Sequence, residues 1–307
     1  MPGREALGLT SLGYPATLTA VEDLVDVIIP THHRADTVEY SMRSVLAQTH
    51  AALALHVVGD GCTPASAAAV RAIRDPRVRF HEFPKALGFG YANRNHVLRQ
   101  TSAPYVAYVT DDDLWFPDHL ELALAELRRR AIGLVAFRPC PIEYPGVVNP
   151  YFFPFDWGRR RSSHVLRDWF LGSAAYLHRR SVFGTVGYWD ERLVRFGDRE
   201  FYNRARTSSE GGAYVDTVTL LRFYADHWDR HYPALSEPPQ KRYLALLQDP
   251  DWRVALREAS ARPGRSMRNR LRQWRDFVTV GARAAPRFLH FWRQRARIAR
   301  SNGRLPR

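Results

Sequence analysis

The chain has 307 residues, of which 45% are hydrophobic and 25% are charged. These proportions are those of globular proteins, so they exclude a chain that is disordered or of low complexity throughout. With only Cys62 and Cys140, the sequence excludes a disulfide framework and a cysteine zinc cluster and suits a reducing compartment. No stretch has the ~18 uncharged apolar residues of a membrane-spanning helix, and the first residues do not resemble a signal peptide. We therefore expect a cytoplasmic protein.

The net charge of +14 at pH 7 is concentrated at one end of the chain. From Arg262 to Arg307, fourteen arginines face a single acid, Asp276, which gives this tail a charge of +13 and leaves +1 for residues 1–261. Aromatic and aliphatic residues fall between these arginines at helical spacing. Such a tail is typical of a segment that lies on an anionic membrane, with binding to a partner, to the rest of the chain or to nucleic acid as alternatives. The nearly neutral remainder argues against a nucleic-acid-binding protein.

From residue 25 onward, short β-rich runs alternate with helix-like stretches. Strands are predicted at Val25–Pro30, Leu53–Gly59, Val78–Phe83 and Tyr105–Thr110, and helices at Thr37–Gln48, Ala65–Arg74 and Gly90–Gln100. This order predicts βαβ units and therefore a parallel sheet with right-handed crossovers. Because ligands of such sheets bind beyond the carboxyl ends of the strands, we expect the chemistry at Pro30–Arg34, Gly59–Thr63 and Thr110–Asp113.

The pattern changes after the first half of the chain. A helix at Pro117–Arg130 and a strand at Ile132–Arg138 are predicted to close that half. Residues 139–160 are rich in proline and aromatic residues and are predicted to lack regular elements. A second α/β stretch then runs to about Tyr232, followed by predicted helices at Gln240–Leu247 and Asp251–Ala259.

Three adjacent carboxylates, Asp111, Asp112 and Asp113, follow a predicted strand and precede a predicted helix. Because like charges repel one another, a cation should offset them, and oxygen ligands of this kind suit Mg²⁺ or Mn²⁺. The cluster predicts a metal–diphosphate site. The alternative is a solvated turn in which one aspartate caps the next helix.

Asp60 ends the second predicted strand between Gly59 and Gly61, which let the backbone turn sharply and approach a ligand closely. Its carboxylate can accept a hydrogen bond from a nucleotide base, and an Asx-turn at a strand end is the alternative. Pro30 and Thr31 end the first strand at the same edge of the sheet. The two histidines that follow diverge on an extended segment, so a solvated pair is favoured over metal ligands.

Three segments together resemble one family pattern. They read VDVIIPTHHRADTVEYSMRSVLAQTH, VVGDGCT and YVAYVTDDDLWFPDHL. Their sequence and spacing resemble glycosyltransferase family 2 from about Val25 to about Tyr232, and they are most similar to inverting enzymes of the spore-coat-polysaccharide type. The resemblance implies the α/β GT-A fold, a Rossmann-like and mostly parallel sheet flanked by helices, here with a basic helical C-terminal extension. It divides the chain into a leader (1–24), a nucleotide-sugar-binding half (25–138), an acceptor-binding half (139–235) and C-terminal helices with the basic tail (236–307).

The resemblance also implies a donor site. The residues implied to bind the nucleotide sugar are Pro30, Thr31, Arg34, Asp60, Arg94, Asp111 and Asp112. Asp112 and Asp113 are implied as the ligands of Mn²⁺ or Mg²⁺. The spore-coat branch has Asn at the position of Asp113, so which of the two is the principal ligand stays open. Asp60 would face the base, which favours a UDP- or dTDP-linked sugar over a GDP-linked one.

The acceptor side is implied by a segment further along the chain. Gly187–Glu191 resembles the family's Gly-Gly-Phe-Asp-Glu, which implies acceptor binding by Trp189, Asp190 and Glu191. In addition, His227 and His231 lie where some relatives place a histidine near the diphosphate. The aromatic stretch Asn149–Gly158 suits a lid over the donor.

Asp198 falls at the position of the family's catalytic base. Glu200 is the fallback base, and a helix N-cap is the structural alternative for Asp198. Gly197 replaces the Glu that many members have before this Asp, which weakens any acceptor contact borrowed from that Glu but leaves the base in place.

These assignments predict a metal-dependent inverting glycosyltransferase that moves a sugar from a nucleoside-diphosphate sugar to a hydroxyl of a carbohydrate or lipid-linked acceptor. Asp198 would take the proton from that hydroxyl. A sugar nucleotidyltransferase is the alternative enzyme, although it has no need of Asp198, and a basic nucleic-acid-binding protein is the non-enzymatic alternative. The tail, residues 262–307, would hold the protein peripherally on the inner face of the membrane.

Overall fold

The structure is a computed structural model that describes residues 22–143, 147–148, 172–223 and 235–261. The predictions made for the leader, for the lid at Asn149–Gly158, for His227 and His231, and for the basic tail lie outside the described residues, apart from the last residues of the leader.

The first half is a run of βαβ units, as the alternating pattern predicted. Its strands are β1 (Val25–Thr31), β2 (Leu53–Asp60), β3 (Val78–Phe83) and β4 (Tyr105–Tyr108), and its helices are α1 (Val38–Leu46), α2 (Pro64–Ala72) and α3 (Tyr91–Gln100). Each element begins and ends within two residues of its predicted bounds. β1 pairs in parallel with both β2 and β4, and β2 pairs in parallel with β3. Every residue of β2 is buried, which explains its continuous apolar run.

The second half adds strands of both directions. The elements are β5 (Leu114–Trp115), α4 (His119–Arg130), β6 (Leu134–Glu143), β7 (Val147–Val148), β8 (Tyr176–Arg179), α5 (Val182–Val186), α6 (Gly197–Arg206), β9 (Gly212–Arg222), α7 (Pro239–Leu246) and α8 (Pro250–Ala261). In the described part of the chain, the sheet order is β3-β2-β1-β4-β8-β6-β9-β5, with β7 beside β6. β8 is antiparallel to β4 and β6, whereas β6 and β9 are parallel.

The prediction that residues 139–160 lack regular structure is wrong for residues 139–143, which belong to β6, and for Val147–Val148, which form β7. β6 continues through Pro139 and Pro141 to Glu143. It pairs with β9 as far as Pro141, across two register shifts around Arg138, and its last two residues pair with β7. On the edge of β6 opposite β9, β8 pairs only with Leu134–Ala136. The prolines therefore lie beyond the end of the pairing with β8. A proline has no N–H to donate, and a released edge next to a bulge tolerates it.

An aromatic core fixes α6 against the sheet. Trp189 and Phe201 stack with ring centroids 5.4 Å apart, and Tyr108 meets both rings edge-on. Trp189 and Phe201 are 2% and 0% exposed. Because Phe201 lies on α6, this packing sets the position of the first turn of that helix relative to the carboxyl end of β4.

Helices α7 and α8 pack on the face near β5 and β9. Leu114 and Leu221 share a second buried cluster with Tyr243 of α7 and Leu256 of α8. Arg257 of α8 binds both carboxylate oxygens of Asp118, at 2.7 and 2.8 Å.

Candidate functional site

The carboxylates Asp111–Asp113 lie between β4 and β5, at the carboxyl end of a central strand, as predicted. Asp112 and Asp113 are buried, with 5% and 4% of their surface exposed. Burial, reinforced by the charge of Asp112, raises the pKa of Asp111 and of Asp113 to about 7. Burial also raises the pKa of Asp112. The loop therefore holds three carboxylates that are costly to ionise together, as the sequence predicted.

Three long-range hydrogen bonds hold this loop in place. Thr37 Oγ1 donates to the main-chain carbonyl of Asp111 at 2.9 Å, and Gln240 Nε2 donates to that of Asp112 at 3.0 Å. The main-chain N–H of Phe223, just beyond β9, donates to Asp113 Oδ1 at 3.0 Å. The loop is therefore fixed from the start of α1, from α7 and from the end of β9, and no sequence pattern singled out Gln240 or Phe223.

The side-chain oxygens of this loop fit a hard cation. Asp112 Oδ2 is buried and accepts no hydrogen bond within the described part of the chain. No group of three or more His, Cys, Asp or Glu side chains in residues 22–143, 147–148, 172–223 and 235–261 is arranged to hold a metal. Because Mg²⁺ is commonly bound by one or two carboxylates together with substrate phosphates and water, two aspartates suit a cation that arrives with a diphosphate.

Residues at the end of β1 face the same loop. Arg34 Nε lies 3.8 Å from Asp111 Oδ1, and the arginine's charge opposes the raised pKa of Asp111 and Asp112. Thr31 is 3% exposed, and Pro30 is paired with Val58 inside the sheet. The structure therefore brings Arg34 to the carboxylates.

Asp60 organises the loop between β3 and α3. Its Oδ1 accepts from the main-chain N–H of Ala86 at 2.8 Å and from Asn93 Nδ2 at 2.7 Å, and its Oδ2 lies 2.7 Å from Lys85 Nζ. Gly90 has a φ of +72°, and a Cβ there would lie 2.6 Å from Oδ2 of Asp60. A nucleotide base that bonds to Asp60 would therefore share the carboxylate with Lys85, whose side chain is 41% exposed.

Arg94 lies against two aromatic rings. Its guanidinium carbon is 4.9 Å from the centroid of Tyr91 and 5.0 Å from that of Trp189, and Nη2 donates to the carbonyl of Phe89 at 2.7 Å. Arg94 is 5% exposed. The arginine therefore stabilises the start of α3 by cation–π contacts and anchors the loop that surrounds Asp60.

The residues implied in acceptor binding have different environments. Trp189 is in the aromatic core, and its Nε1 donates to Tyr108 Oη at 3.2 Å. Asp190 is paired with Arg192 at 2.9 Å. Glu191 accepts hydrogen bonds from Asn95 Nδ2 at 2.8 Å and from Arg99 at 3.1 Å, and its side chain is 41% exposed. Glu191 is thus the most accessible carboxylate of this segment.

Asp198 is the second residue of α6, and the N-cap of that helix is Phe196, with a φ of 65°. The alternative that Asp198 is the N-cap is therefore wrong. Oδ1 of Asp198 accepts from the N–H of Arg199 at 2.9 Å, and its carbonyl accepts from Tyr176 Oη at 3.2 Å. A Cβ placed on Gly172 would lie 3.8 Å from Asp198 Oδ2, so this oxygen points toward the segment before β8.

The fallback base, Glu200, is engaged by an ion pair within its own helix. Both of its carboxylate oxygens accept hydrogen bonds from Arg204, at 2.5 and 2.8 Å. Arg204 also donates to the carbonyls of Val186 and Tyr188. The pair therefore ties α6 to the segment before it, which is a structural use of Glu200.

The family resemblance seen in the sequence extends to comparisons with known proteins. Residues 26–170 match the family model described as glycosyl transferase family 2. The chain is 29% identical over 112 residues to the Escherichia coli UDP-Glc:alpha-D-GlcNAc-diphosphoundecaprenol beta-1,3-glucosyltransferase WfgD, covering 36% of this chain and 44% of that protein. It is 29% identical over 116 residues to the putative teichuronic acid biosynthesis glycosyltransferase TuaG of Bacillus subtilis, covering 37% and 46%. The matches thus span less than half the length of these relatives.

Solved structures share the fold. S. aureus TarS in complex with UDP-GlcNAc superposes with a TM-score of 0.54 at 16% identity, covering 73% of this chain and 66% of that one. The mannosyltransferase PcManGT from Pyrobaculum calidifontis, in complex with GDP-Man and Mn²⁺, has a TM-score of 0.52 at 18% identity, covering 87% and 82%. These likenesses confirm the predicted GT-A fold.

None of the helices in the described residues has the length and apolar character that crossing a bilayer requires. Residues 26–170 thus match glycosyl transferase family 2, and the named relatives and the shared GT-A fold agree with that match.

Proposed function

We propose that the chain transfers a sugar, with inversion at the anomeric carbon, from a nucleoside-diphosphate sugar to an acceptor hydroxyl. The observation that carries the proposal is the convergence of two acidic groups at the end of β9. Phe223, one residue beyond β9, donates its N–H to Asp113. Asp198 Oδ2 lies close to Gly172, and so does the guanidinium of Arg222, the last residue of β9.

Asp112 and Asp113 would hold Mg²⁺ or Mn²⁺, because Asp112 offers a buried oxygen that accepts no hydrogen bond from the described residues. The bound cation would supply charge neutralisation for the departing nucleoside diphosphate. Pro30, Thr31, Arg34, Asp60, Arg94 and Asp111 would complete the donor site. In this arrangement Arg34, 3.8 Å from Asp111, lies where it can reach a phosphate oxygen.

Asp198 would act as the general base that takes the acceptor proton. A base must lie within reach of the hydroxyl without being consumed by internal pairing. Asp198 meets this condition better than Glu200, because both oxygens of Glu200 are bound by Arg204. Single displacement needs no nucleophile from the protein, so one accessible carboxylate is sufficient for this chemistry.

A UDP-linked donor and a lipid-linked acceptor are the favoured substrates. The names of the E. coli relative and of TarS in its complex support a UDP-sugar, whereas the PcManGT complex contains GDP-Man. The E. coli relative's name also specifies a diphosphoundecaprenol acceptor. We assign Asp190 and Glu191, beside the buried Trp189, to the acceptor side, and we place the basic tail, residues 262–307, on the inner face of an anionic membrane.

Calorimetric titration tests the donor site directly. UDP, dTDP and GDP are titrated in Mn²⁺ and again in EDTA, into the wild type, into Asp112→Ala/Asp113→Ala and into the control Asp251→Ala, whose side chain is exposed on α8. Metal-dependent binding of one nucleotide by the wild type and by the control, lost in the double variant, supports the proposal. Failure of folded wild type to bind any of the three contradicts it.

A further inference from the structure

Arg222 lies between the two acidic parts of the site. It is the last residue of β9, and the next residue, Phe223, donates its N–H to Asp113. A Cβ on Gly172 would lie 3.9 Å from Nη1 of Arg222 and 3.8 Å from Oδ2 of Asp198. The guanidinium and the Asp198 carboxylate therefore approach the same point in front of Gly172.

Arg222 is also electrostatically coupled to the carboxylates of the loop. The charge of Arg222 acts on Asp112 and Asp113, whereas that of Arg34 acts on Asp111 and Asp112. The two arginines thus act on different carboxylates of the loop, and Asp112 is close enough to be affected by both. Arg34 comes from the end of β1 and Arg222 from the end of β9, so cations reach the loop from two separate elements.

We propose that Arg222 is a phosphate-binding residue, which contacts the diphosphate of the donor on the side that faces Asp198. The inference rests on the proposed function, because it places the diphosphate at Asp112 and Asp113. An arginine is always charged and offers several N–H donors in a planar fork that matches phosphate oxygens. At this place it would stabilise the negative charge that grows on the leaving group as the sugar–oxygen bond breaks and the acceptor oxygen bonds to the sugar.

Arg222 is also placed to act near both the diphosphate leaving group and the proposed base, Asp198. Negative charge develops on the diphosphate oxygen in the same step in which Asp198 receives the acceptor proton. A cation that approaches both groups offsets the first charge without forming part of the metal site.

The test uses inorganic pyrophosphate, so that it does not depend on which nucleotide the protein takes. Wild type, Arg222→Gln, Arg222→Lys and the control Arg71→Gln are titrated with pyrophosphate in saturating Mn²⁺, and separately with Mn²⁺ alone. Arg71 lies on α2, half-exposed and paired with Glu82, outside the proposed site. Thermal unfolding of each variant checks that it is folded.

We expect Arg222→Gln to bind pyrophosphate about tenfold to hundredfold more weakly than wild type, because a hydrogen-bonded ion pair is lost. The same variant should bind Mn²⁺ alone more tightly, since a cation next to Asp112 and Asp113 has been removed. Arg222→Lys should recover part of the pyrophosphate affinity, and Arg71→Gln should match wild type.

Equal pyrophosphate affinity in wild type and Arg222→Gln would overturn the inference, as would no pyrophosphate binding by wild type. The proposed function is judged separately by the nucleotide titrations. Pyrophosphate binding that depends on Arg222, in a protein that binds none of the three nucleotides, would retain the phosphate site and reject the assigned donor.

Discussion

The phenol oxygen of Tyr91 accepts a hydrogen bond from the main-chain N–H of Gly197 at 2.9 Å, and the hydroxyl end of the ring lies close to that glycine. A Cβ at position 197 would lie 2.6 Å from the ring. Tyr91 also stacks on Trp189 and makes a cation–π contact with Arg94. The glycine that replaces the usual Glu before the proposed base is therefore required by packing, because any side chain would displace Tyr91.

Gly197→Ala should consequently destabilise the protein. Overpacking a close contact of this kind costs ~1–3 kcal/mol, which urea unfolding measures. Gly184→Ala is a matched control, because it also lies in a helix but a Cβ there meets nothing within 4 Å. The control should be neutral or stabilising by up to ~1 kcal/mol. Equal effects at the two positions would mean that the Tyr91 contact does not constrain residue 197.

Gln240 should support the carboxylate loop from α7. Gln240→Leu removes the donor to the carbonyl of Asp112 and leaves that buried oxygen without its partner, at a cost of ~1–3 kcal/mol. Because the bond orients Asp112, we expect metal-dependent nucleotide binding to weaken along with stability. The exposed Gln248, changed to Leu, is the control. Calorimetry that finds unchanged nucleotide affinity in folded Gln240→Leu would show that α7 does not position the loop.

The sequence predicted the first half of the fold closely because its signal is local. Parallel strands buried on both faces read as continuous apolar runs, and β2 is such a strand. The predicted strand ends at Arg138, before the end of β6, because prolines normally break strands. The pairing with β9 that permits these prolines involves residues far along the chain.

The site was predictable only where a residue type itself carries the chemistry. Asp111–Asp113 could be found from charge and position in the chain. Their supports could not, because Phe223 and Gln240 are 110 and 128 residues away from the groups they bind. Trp189 shows the opposite difficulty, since its sequence context implied a ligand contact while its ring is part of the aromatic core.

The base assignment leads to a prediction about Asp198. Asp198→Asn should reduce the rate of sugar transfer by about a hundredfold to ten-thousandfold, while nucleotide affinity stays within a factor of about two. Transfer is measured from the release of nucleoside diphosphate, and binding by calorimetry on the same samples. Glu200→Gln should instead lower stability, because it weakens the pair with Arg204, and retain most of the transfer. Full activity in Asp198→Asn would assign the base to another group.

Two buried histidines should make stability depend on acid pH. Burial lowers the pKa of His119 and of His178 to about 3, and both side chains are fully buried. His119 stacks on Trp115 and its Nδ1 lies 2.8 Å from Thr219 Oγ1, while Nε2 of His178 lies 3.0 Å from Tyr108 Oη. Both are therefore neutral in the folded protein above pH 5.

The sign of the effect follows from linkage. Above pH 6.5 both states carry neutral histidines, so protonation adds nothing. Below that value these histidines bind protons in the unfolded chain but stay neutral in the folded one. The free energy of unfolding therefore falls as the pH falls, by up to roughly 1 kcal/mol per pH unit for each histidine. His119→Phe, which can keep the stacking on Trp115, should reduce the slope of unfolding free energy between pH 6.5 and pH 4.5. An unchanged slope in His119→Phe would mean that this histidine is protonated in the folded state.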